Sequence, residues 1–193
     1  VPLAGEELAL NRAVTFTFDR PMDAESPDND FIVEPTIDGT WDWSDNNRHL
    51  TFTPDQDFQR DTEYEFSIMA TDADGQAMDE AYTLRLTTVG YVEVVDMLPA
   101  PDSVRIETDA TITVIFNRPI VPLTSITQQA DLPNPLTISP ETAGTGEWLN
   151  TSIFVFTPDE DLIGGSEYAV TVNAGLEGAN GAILADDITY RFS

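Results

Sequence analysis

The sequence predicts an all-β protein that folds as two consecutive antiparallel β-sandwiches. Apolar and polar residues alternate in short runs, as at Val14, Phe16 and Phe18, so that one face of each run would be buried. No segment carries apolar residues at the spacing of a helix, and clusters of proline and glycine separate the runs at short intervals. This combination is typical of short strands in two sheets that pack face to face.

The same order of motifs occurs twice within the 193 residues, which predicts two related domains. The segment LTFTPDQDFQRDTEYEFSI (Leu50–Ile68) matches FVFTPDEDLIGGSEYAVTV (Phe154–Val172). A repeat of this length suits a tandem domain and is too long for a solenoid unit. We therefore predict one domain at residues 1–88 and another at residues 91–193, joined by the short linker Thr88–Gly90.

The first domain lacks a counterpart of the strand with which the second domain begins. The second copy has a strand at Tyr91–Met97 before Pro99, whereas the first copy begins at the equivalent position, Pro2. We expect the matching strand to lie upstream of residue 1 or to be lost, and both ends to be cut from a longer chain.

Because the linker is short and not rich in Gly or Ser, the domains should lie end to end with limited freedom.

The next strand in the second copy, and the first strand in the first copy, is a core strand that ends at an Asp/Asn-Arg-Pro motif. These strands lie in VTFTFDRPMD (Val14–Asp23) and ITVIFNRPIVPL (Ile112–Leu123). The proline cannot donate a ladder hydrogen bond, and the Asp or Asn two positions before it favours a turn, so the strand stops there. We expect Arg20 and Arg118 to pair with nearby carboxylates rather than to act in a functional site.

Aromatic residues at matching positions predict structural roles in both copies. Tyr64 and Tyr168 each follow a turn and begin a late strand. This is the position of the tyrosine corner of immunoglobulin-type sandwiches, in which the hydroxyl group bonds to upstream backbone. Trp43 and Trp148 are expected to cap the two cores, although one exposed indole would suit a partner surface.

Composition excludes several classes of function. The chain has 35 acidic and eight basic residues, all eight of them Arg, for a formal net charge of −27, and its 41% hydrophobic content is ample for a core. So negative a chain repels nucleic acid and anionic membranes, and no apolar run is long enough for membrane insertion. Without Lys or Cys, it can form no Schiff base, disulfide, thiolate metal site or thioester.

No residue pattern indicates a catalytic, cofactor-binding or metal site, and we predict none. The single histidine, His49, has an apolar residue as its counterpart in the second copy, so no site is duplicated there. A loop with Asp72, Asp74 and Asp79, together with Pro27–Asp30, offers oxygen ligands for calcium. Its spacing is not that of an EF-hand, and a hairpin turn is the simpler interpretation.

The motifs of each copy resemble a known class of bacterial domain. With FTFDRPMD, DGTWDW, LTFTPDQDF and TDADGQAM, the first copy resembles the SbsA-type Ig-like domains of surface-layer and other exported proteins. With ITVIFNRPIVPL, PLTISPETAGTGEWLNTSIFVFTP and EYAVTV, the second resembles a macroglobulin-type domain near the N-terminus of bacterial alpha-2-macroglobulin-like proteins. The resemblance implies two tandem immunoglobulin-like antiparallel β-sandwiches.

The resemblance also implies a non-catalytic scaffold module of an exported bacterial protein, located in the periplasm, at the cell surface or outside the cell. Within an alpha-2-macroglobulin-like protease inhibitor, the module would contact neighbouring domains of a longer chain. It would meet proteases only through the full-length protein, because the thioester of that family needs a Cys that this chain lacks. Neither nucleic acid nor membrane insertion is implied.

Two other functions are compatible with the sequence. The module could form the stalk of a surface adhesin or surface-layer protein, with or without stiffening by calcium. It could also be an accessory module of a secreted glycoside hydrolase, which would place Trp41, Trp43 and Trp148 on one open face. The proline-rich segment Val121–Leu136 is a candidate contact surface, with an ordinary long loop as the alternative.

Overall fold

The computed structural model describes residues 6–122 and 132–193, and all the regular elements in these ranges are β-strands. The chain divides into two compact units, the first ending at Gly90 and the second starting at Tyr91. In the described part of the chain, no helix could cross a membrane. The predicted all-β class, with antiparallel sheets in both halves, is confirmed.

In residues 6–90, the first unit consists of two three-stranded antiparallel sheets. The strand order is β1-β4-β3 in one sheet and β2-β5-β6 in the other, so that β4 and β5 are the central strands. The Pro of the Asp-Arg-Pro motif follows β1 closely, as expected for a residue that ends a strand. The strand bounds are β1 Val14–Thr17, β2 Asp30–Glu34, β3 Gly39–Trp43, β4 His49–Pro54, β5 Glu63–Met69 and β6 Tyr82–Thr87.

In the part of the chain that the structure describes, the second unit repeats this topology and adds one strand. Its sheets have the orders β10-β11-β8-β7 and β13-β12-β9, and the added strand β7 lies next to β8, the counterpart of β1. The strand bounds are β7 Val94–Leu98, β8 Ile112–Phe116, β9 Leu136–Ser139, β10 Gly144–Trp148, β11 Ile153–Pro158, β12 Tyr168–Val172 and β13 Ile188–Phe192.

Alternate side chains of the central strands form the core of each unit. In β5, Tyr64, Phe66 and Ile68 are buried, while the residues between them are at least partly exposed. The Phe66 ring lies across the sandwich from Phe52 of β4, with ring centroids 5.8 Å apart. Burying each such side chain contributes about 1.5–3 kcal/mol to folding, so the alternation read from the sequence stabilises the sandwich directly.

The predicted tyrosine corner is present in both units. The Tyr64 hydroxyl group accepts a hydrogen bond from the Gln59 N–H at 3.1 Å. The Tyr168 hydroxyl group accepts the equivalent bond from the Ile163 N–H at 2.8 Å. Each bond ties the start of a central strand to the turn before it, and the prediction that these tyrosines have a structural role is confirmed.

Gly39, in the DGTWDW motif, is required by the close packing of an aromatic ring. A Cβ atom at this position would lie 2.5 Å from Cζ of Phe52 and 2.6 Å from the Thr53 carbonyl oxygen. Gly144 is its counterpart in the second unit, where the Phe156 ring takes the same place. The edge strands β3 and β10 therefore approach β4 and β11 only because these positions have no side chain.

We predict that Gly39→Ala destabilises the first unit, because the methyl group would displace the Phe52 ring or the backbone of β4. Forcing such a group into a packed site costs about 1–3 kcal/mol. Gly164→Ala is the matched control, since its Cβ would meet a single atom at an ordinary contact distance of 3.9 Å. Urea unfolding of both variants measures the difference, and equal stability of the two would contradict this account.

Candidate interaction site at the open edge of the first unit

The two units differ at the edge of the sheet that contains β1. In the second unit β8 lies between β11 and β7, whereas β1 pairs with β4 alone among the described residues. The N–H of Phe18 donates to the Arg48 carbonyl at 2.9 Å. Because hydrogen-bonding directions alternate along an antiparallel strand, the N–H and C=O groups of Thr15 and Thr17 point away from β4, toward this edge.

A groove with polar and apolar side chains lies beside the open edge of β1. It has a volume of about 460 Å³ and is lined by Thr15–Asp19 on one side and by Ile68, Met78 and Tyr82 of the facing sheet and its loop on the other. Tyr82 is 52% exposed, and its ring meets the buried Phe16 ring edge-on, with centroids 6.3 Å apart. We call this space the β1 groove.

A second cavity, of about 260 Å³, shares Phe18 and Met78 with the β1 groove and contains a buried carboxylate. Asp72 is 5% exposed, and its Oδ1 accepts hydrogen bonds from the N–H groups of Asp74 at 3.0 Å and Gln76 at 2.9 Å. Its Oδ2 lies 3.5 Å from Nη1 of Arg20. Asp72 therefore holds a tight turn and anchors the arginine of the Asp-Arg-Pro motif.

The same contacts lower the pKa of Asp72 below its ordinary value of 3.8. The hydrogen bond from the Gln76 N–H is the main cause, and the Asp74 N–H and Arg20 act in the same direction. Desolvation opposes them, because it disfavours the charged form. The ionised carboxylate is thus the form that the fold favours.

Arg20 pairs with carboxylates, as the sequence predicts. Its Nε lies 3.1 Å from Oδ1 of Asp19, in addition to the contact with Asp72. The pKa of the Asp19 carboxyl group is lowered, first by this hydrogen bond and then by the charge of Arg20. Arg20 and Asp72 lie 52 positions apart in the chain, so the sequence does not indicate that they pair.

Of the acidic residues considered as calcium ligands, Asp72 uses its carboxylate to hold a turn. Asp74 and Asp79 are exposed, while the oxygens of Asp72 are bonded to the turn and to Arg20. In the Pro27–Asp30 segment, the Asn29 side-chain oxygen accepts a hydrogen bond from a backbone N–H at 3.0 Å. Within residues 6–122 and 132–193, no three His, Asp or Glu side chains are grouped as a metal site would require.

His49 lies on the exposed outer face of β4. Its Nδ1 is 3.1 Å from the Thr17 hydroxyl oxygen, across the pair of strands. The next pair on this face joins the hydroxyl groups of Thr15 and Thr51 at 2.9 Å. The histidine is thus one member of a row of cross-strand polar pairs, which stabilise a sheet by a fraction of a kcal/mol to about 1 kcal/mol each.

The tryptophans face the cores. Trp148 is 4% exposed and donates from Nε1 to the Pro133 carbonyl oxygen at 3.0 Å, so its predicted role as a core cap is confirmed. Trp41 and Trp43 are half-buried against core aromatic rings, with Trp41 and Phe52 centroids 4.9 Å apart. The hypothesis of one open face that carries all three indoles is therefore wrong.

Of the proline-rich segment 121–136, residues 123–131 lie outside the described residues, and its contact role stays a prediction.

Comparison with known proteins identifies a family for both halves of the chain. Residues 1–88 and residues 90–193 each match the family model of the bacterial Ig-like domain. No curated protein matches the chain.

Solved structures give only distant similarities. An L,D-transpeptidase from Mycobacterium smegmatis is 21% identical over 53% of this chain and 39% of its own, with a TM-score of 0.35. A Bacteroides ovatus glucan-utilisation protein, SGBP-B, solved with a mixed-linkage heptasaccharide, is 13% identical over 97% and 42%, with a TM-score of 0.29. Drosophila N-cadherin EC1-4 is 18% identical over 96% and 47%, also at 0.29. The chain thus spans less than half of each, and such similarities carry no functional argument.

We predict that Asp72→Asn makes the free energy of unfolding less dependent on pH in the acid range. Because the folded-state pKa of Asp72 is lowered, its ionised form contributes stability above the ordinary value of 3.8, and that contribution is lost as the pH falls through the lowered value. The asparagine keeps an oxygen for the two turn hydrogen bonds, so the loss should be limited to the charge and the contact with Arg20.

Urea unfolding at neutral pH and at acid pH measures this effect. The stability difference between the unmodified chain and Asp72→Asn should shrink on acidification. Asp74→Asn, which removes an exposed carboxylate from the same turn, is the control for the change in net charge. The assignment would be wrong if the two differences varied with pH in the same way.

Proposed function

The chain belongs to the bacterial Ig-like domain family, and from that premise we propose that its two units form a non-catalytic spacer module of an exported bacterial protein. Both units carry the core, the tyrosine corner and the same strand order. Such a pair of sandwiches would separate the domains on either side of it and would not catalyse a reaction. We place the module outside the cytoplasm, where bacterial Ig-like domains typically occur.

The spacer proposal rests on one observation: the residues that connect the two units, 88–92, each form hydrogen bonds or bridges within their own unit. On the side of the first unit, the Thr88 N–H donates to Thr62 and the Val89 N–H donates to Leu8, each at 2.9 Å. The Gly90 carbonyl oxygen accepts a hydrogen bond from the Arg60 side chain at 3.3 Å. These contacts keep the end of the first unit from acting as a flexible tether.

The start of the second unit is bonded in the same way. Tyr91 forms a bridge with Ile183, and the Val92 N–H donates to the Ile183 carbonyl oxygen at 3.0 Å. Val92 is also buried in its own unit. Each residue from Val89 to Val92 thus has a backbone or side-chain contact within its own unit.

Surface charge supports a spacer that does not self-associate. The net charge of −27 comes mostly from carboxylates in loops and on outer faces of the sheets. Like charges on two copies repel, and this repulsion discourages pairing between exposed sheet edges. The effect weakens with salt, because ions screen charges separated by more than about 10 Å at 0.1 M.

For the parent protein, we propose the alpha-2-macroglobulin-like class of protease inhibitor. The proposal rests on the resemblance of the second copy to macroglobulin-type domains, whereas the family match supports only the bacterial Ig-like module itself. The full-length gene product tests it directly. A bait segment and further macroglobulin-type domains would support the inhibitor, and a run of Ig-like repeats alone would replace it with a surface stalk.

We predict that a Gly-Ser-Gly-Ser insertion between Gly90 and Tyr91 frees the two units from each other. In the unmodified chain, the bonded connection should make both units align together in a weakly ordering medium. Residual dipolar couplings measure the alignment of each unit separately. The insertion should give the two units different alignment, because a Gly/Ser segment behaves as a flexible coil.

The same insertion between Glu80 and Ala81, in an exposed loop, is the control for added chain length. It should leave the common alignment intact. The spacer proposal fails if the unmodified chain already shows two independently aligned units.

A further inference from the structure

We propose that the β1 groove is a docking site for an added β-strand that runs antiparallel to β1. The occupant is an extended segment joined to the amino-terminal side of Val1, with the apolar pattern of residues 91–98. The β1 groove is open between the edge of β1 and the side chains of Met78 and Tyr82. The argument comes from the second unit, where the equivalent space is filled.

Val92 and β7 show how such a strand fits. Val92 is 2% exposed, and its N–H donates to Ile183, which forms a backbone bridge with Glu177. The corresponding bridge in the first unit joins Thr71 and Ala77. Ala77 lines the smaller cavity beside the β1 groove, so the first unit presents an equivalent backbone position at the place where a strand would enter.

Two side chains that line the β1 groove are more exposed than their counterparts in the second unit. Phe18 is half-buried, whereas its counterpart Phe116 is 3% exposed. Met78 is also half-buried, whereas its counterpart Leu184 is 3% exposed. A covering strand would remove this apolar surface from water, which favours its binding.

The backbone of β1 offers the matching hydrogen-bonding groups. In the second unit, Thr113 and Ile115 of β8 pair with Leu98 and Asp96 of β7. Their counterparts in β1 are Thr15 and Thr17, whose backbone groups point to the open edge. An extended segment can bond to these groups by β-augmentation, in which backbone bonds give affinity and side-chain pockets give selectivity.

One difference between the units specifies the charge of the occupant. Asn117 accepts a hydrogen bond from the Glu93 N–H at 3.0 Å, and its amide group lies 3.4 Å from Oε2 of the same residue. The counterpart of Asn117 is Asp19, a carboxylate that can accept but cannot donate a hydrogen bond. A glutamate in the place of Glu93 would meet like charge at Asp19, so the added strand should carry an uncharged residue there.

Covalent attachment follows the arrangement of the second unit. There, β7 immediately precedes the chain that leads to β8. A strand tethered in this way acts at an effective concentration in the millimolar range and needs little affinity of its own. Attachment before Val1 reproduces this order of elements.

The test is a fusion of YVQVVDML directly before Val1 of the full chain. This is the sequence of residues 91–98 with the Glu93→Gln change. We expect the amides of Thr15 and Thr17 to exchange hydrogen about tenfold more slowly, or slower still, than in the unmodified chain. A control fusion, YVQVVPMP, has prolines in place of Asp96 and Leu98, the residues that pair with Ile115 and Thr113 of β8 in the second unit; prolines cannot donate ladder hydrogen bonds, so this fusion should leave exchange unchanged.

The amides of Tyr64 and Phe66 report whether the core of the first unit is folded, and they should stay protected in every variant. A fusion of unaltered YVEVVDML should protect Thr15 and Thr17 less than the Gln form does. Equal exchange in the Gln fusion and the proline fusion would overturn the proposal. Protection that depends on dimer formation, or that free YVQVVDML peptide achieves equally well, would overturn the assigned occupant.

Discussion

The burial of alternate side chains between two sheets is the constraint on which both units depend. Central strands β5 and β12 place every second residue in the core, and the tyrosine at the start of each also ties down the preceding turn. Neighbouring features follow from this packing. Gly39 lacks a side chain because the Phe52 ring occupies its space, and Trp148 is drawn into the core with its N–H bonded to backbone.

Backbone pairing is the second constraint, and the two units satisfy it differently. The second unit covers the edge of β8 with β7, whereas the described part of the first unit leaves the same edge of β1 open. Exposed edges are sites of unwanted association, which a strongly acidic surface discourages. The repeats therefore share a core and differ in the pairing of one sheet edge.

The fold was predictable from the sequence, because alternation and repetition are local patterns that directly reflect burial. The tyrosine corners were predictable for the same reason, since turn and tyrosine are adjacent in the chain. The ion pair of Arg20 with Asp72 was not, because it joins residues 52 positions apart. The core-facing side of Trp43 was also predictable, because Asp42 favours solvent and its two tryptophan neighbours then share the other face of β3. The extra strand of the second copy indicated an unmatched edge, but the volume and lining of the β1 groove required the structure.

Amide hydrogen exchange on the unmodified chain tests the central claim most directly. Thr113 and Ile115 lie on the covered edge of β8, and their counterparts Thr15 and Thr17 lie on the open edge of β1. If both units bury the same core and differ in edge pairing, the β8 amides will be protected and those of β1 will exchange rapidly, while Phe66 and Val170 remain protected alike. Equal protection of the two edges, or loss of protection at either core, would contradict the account.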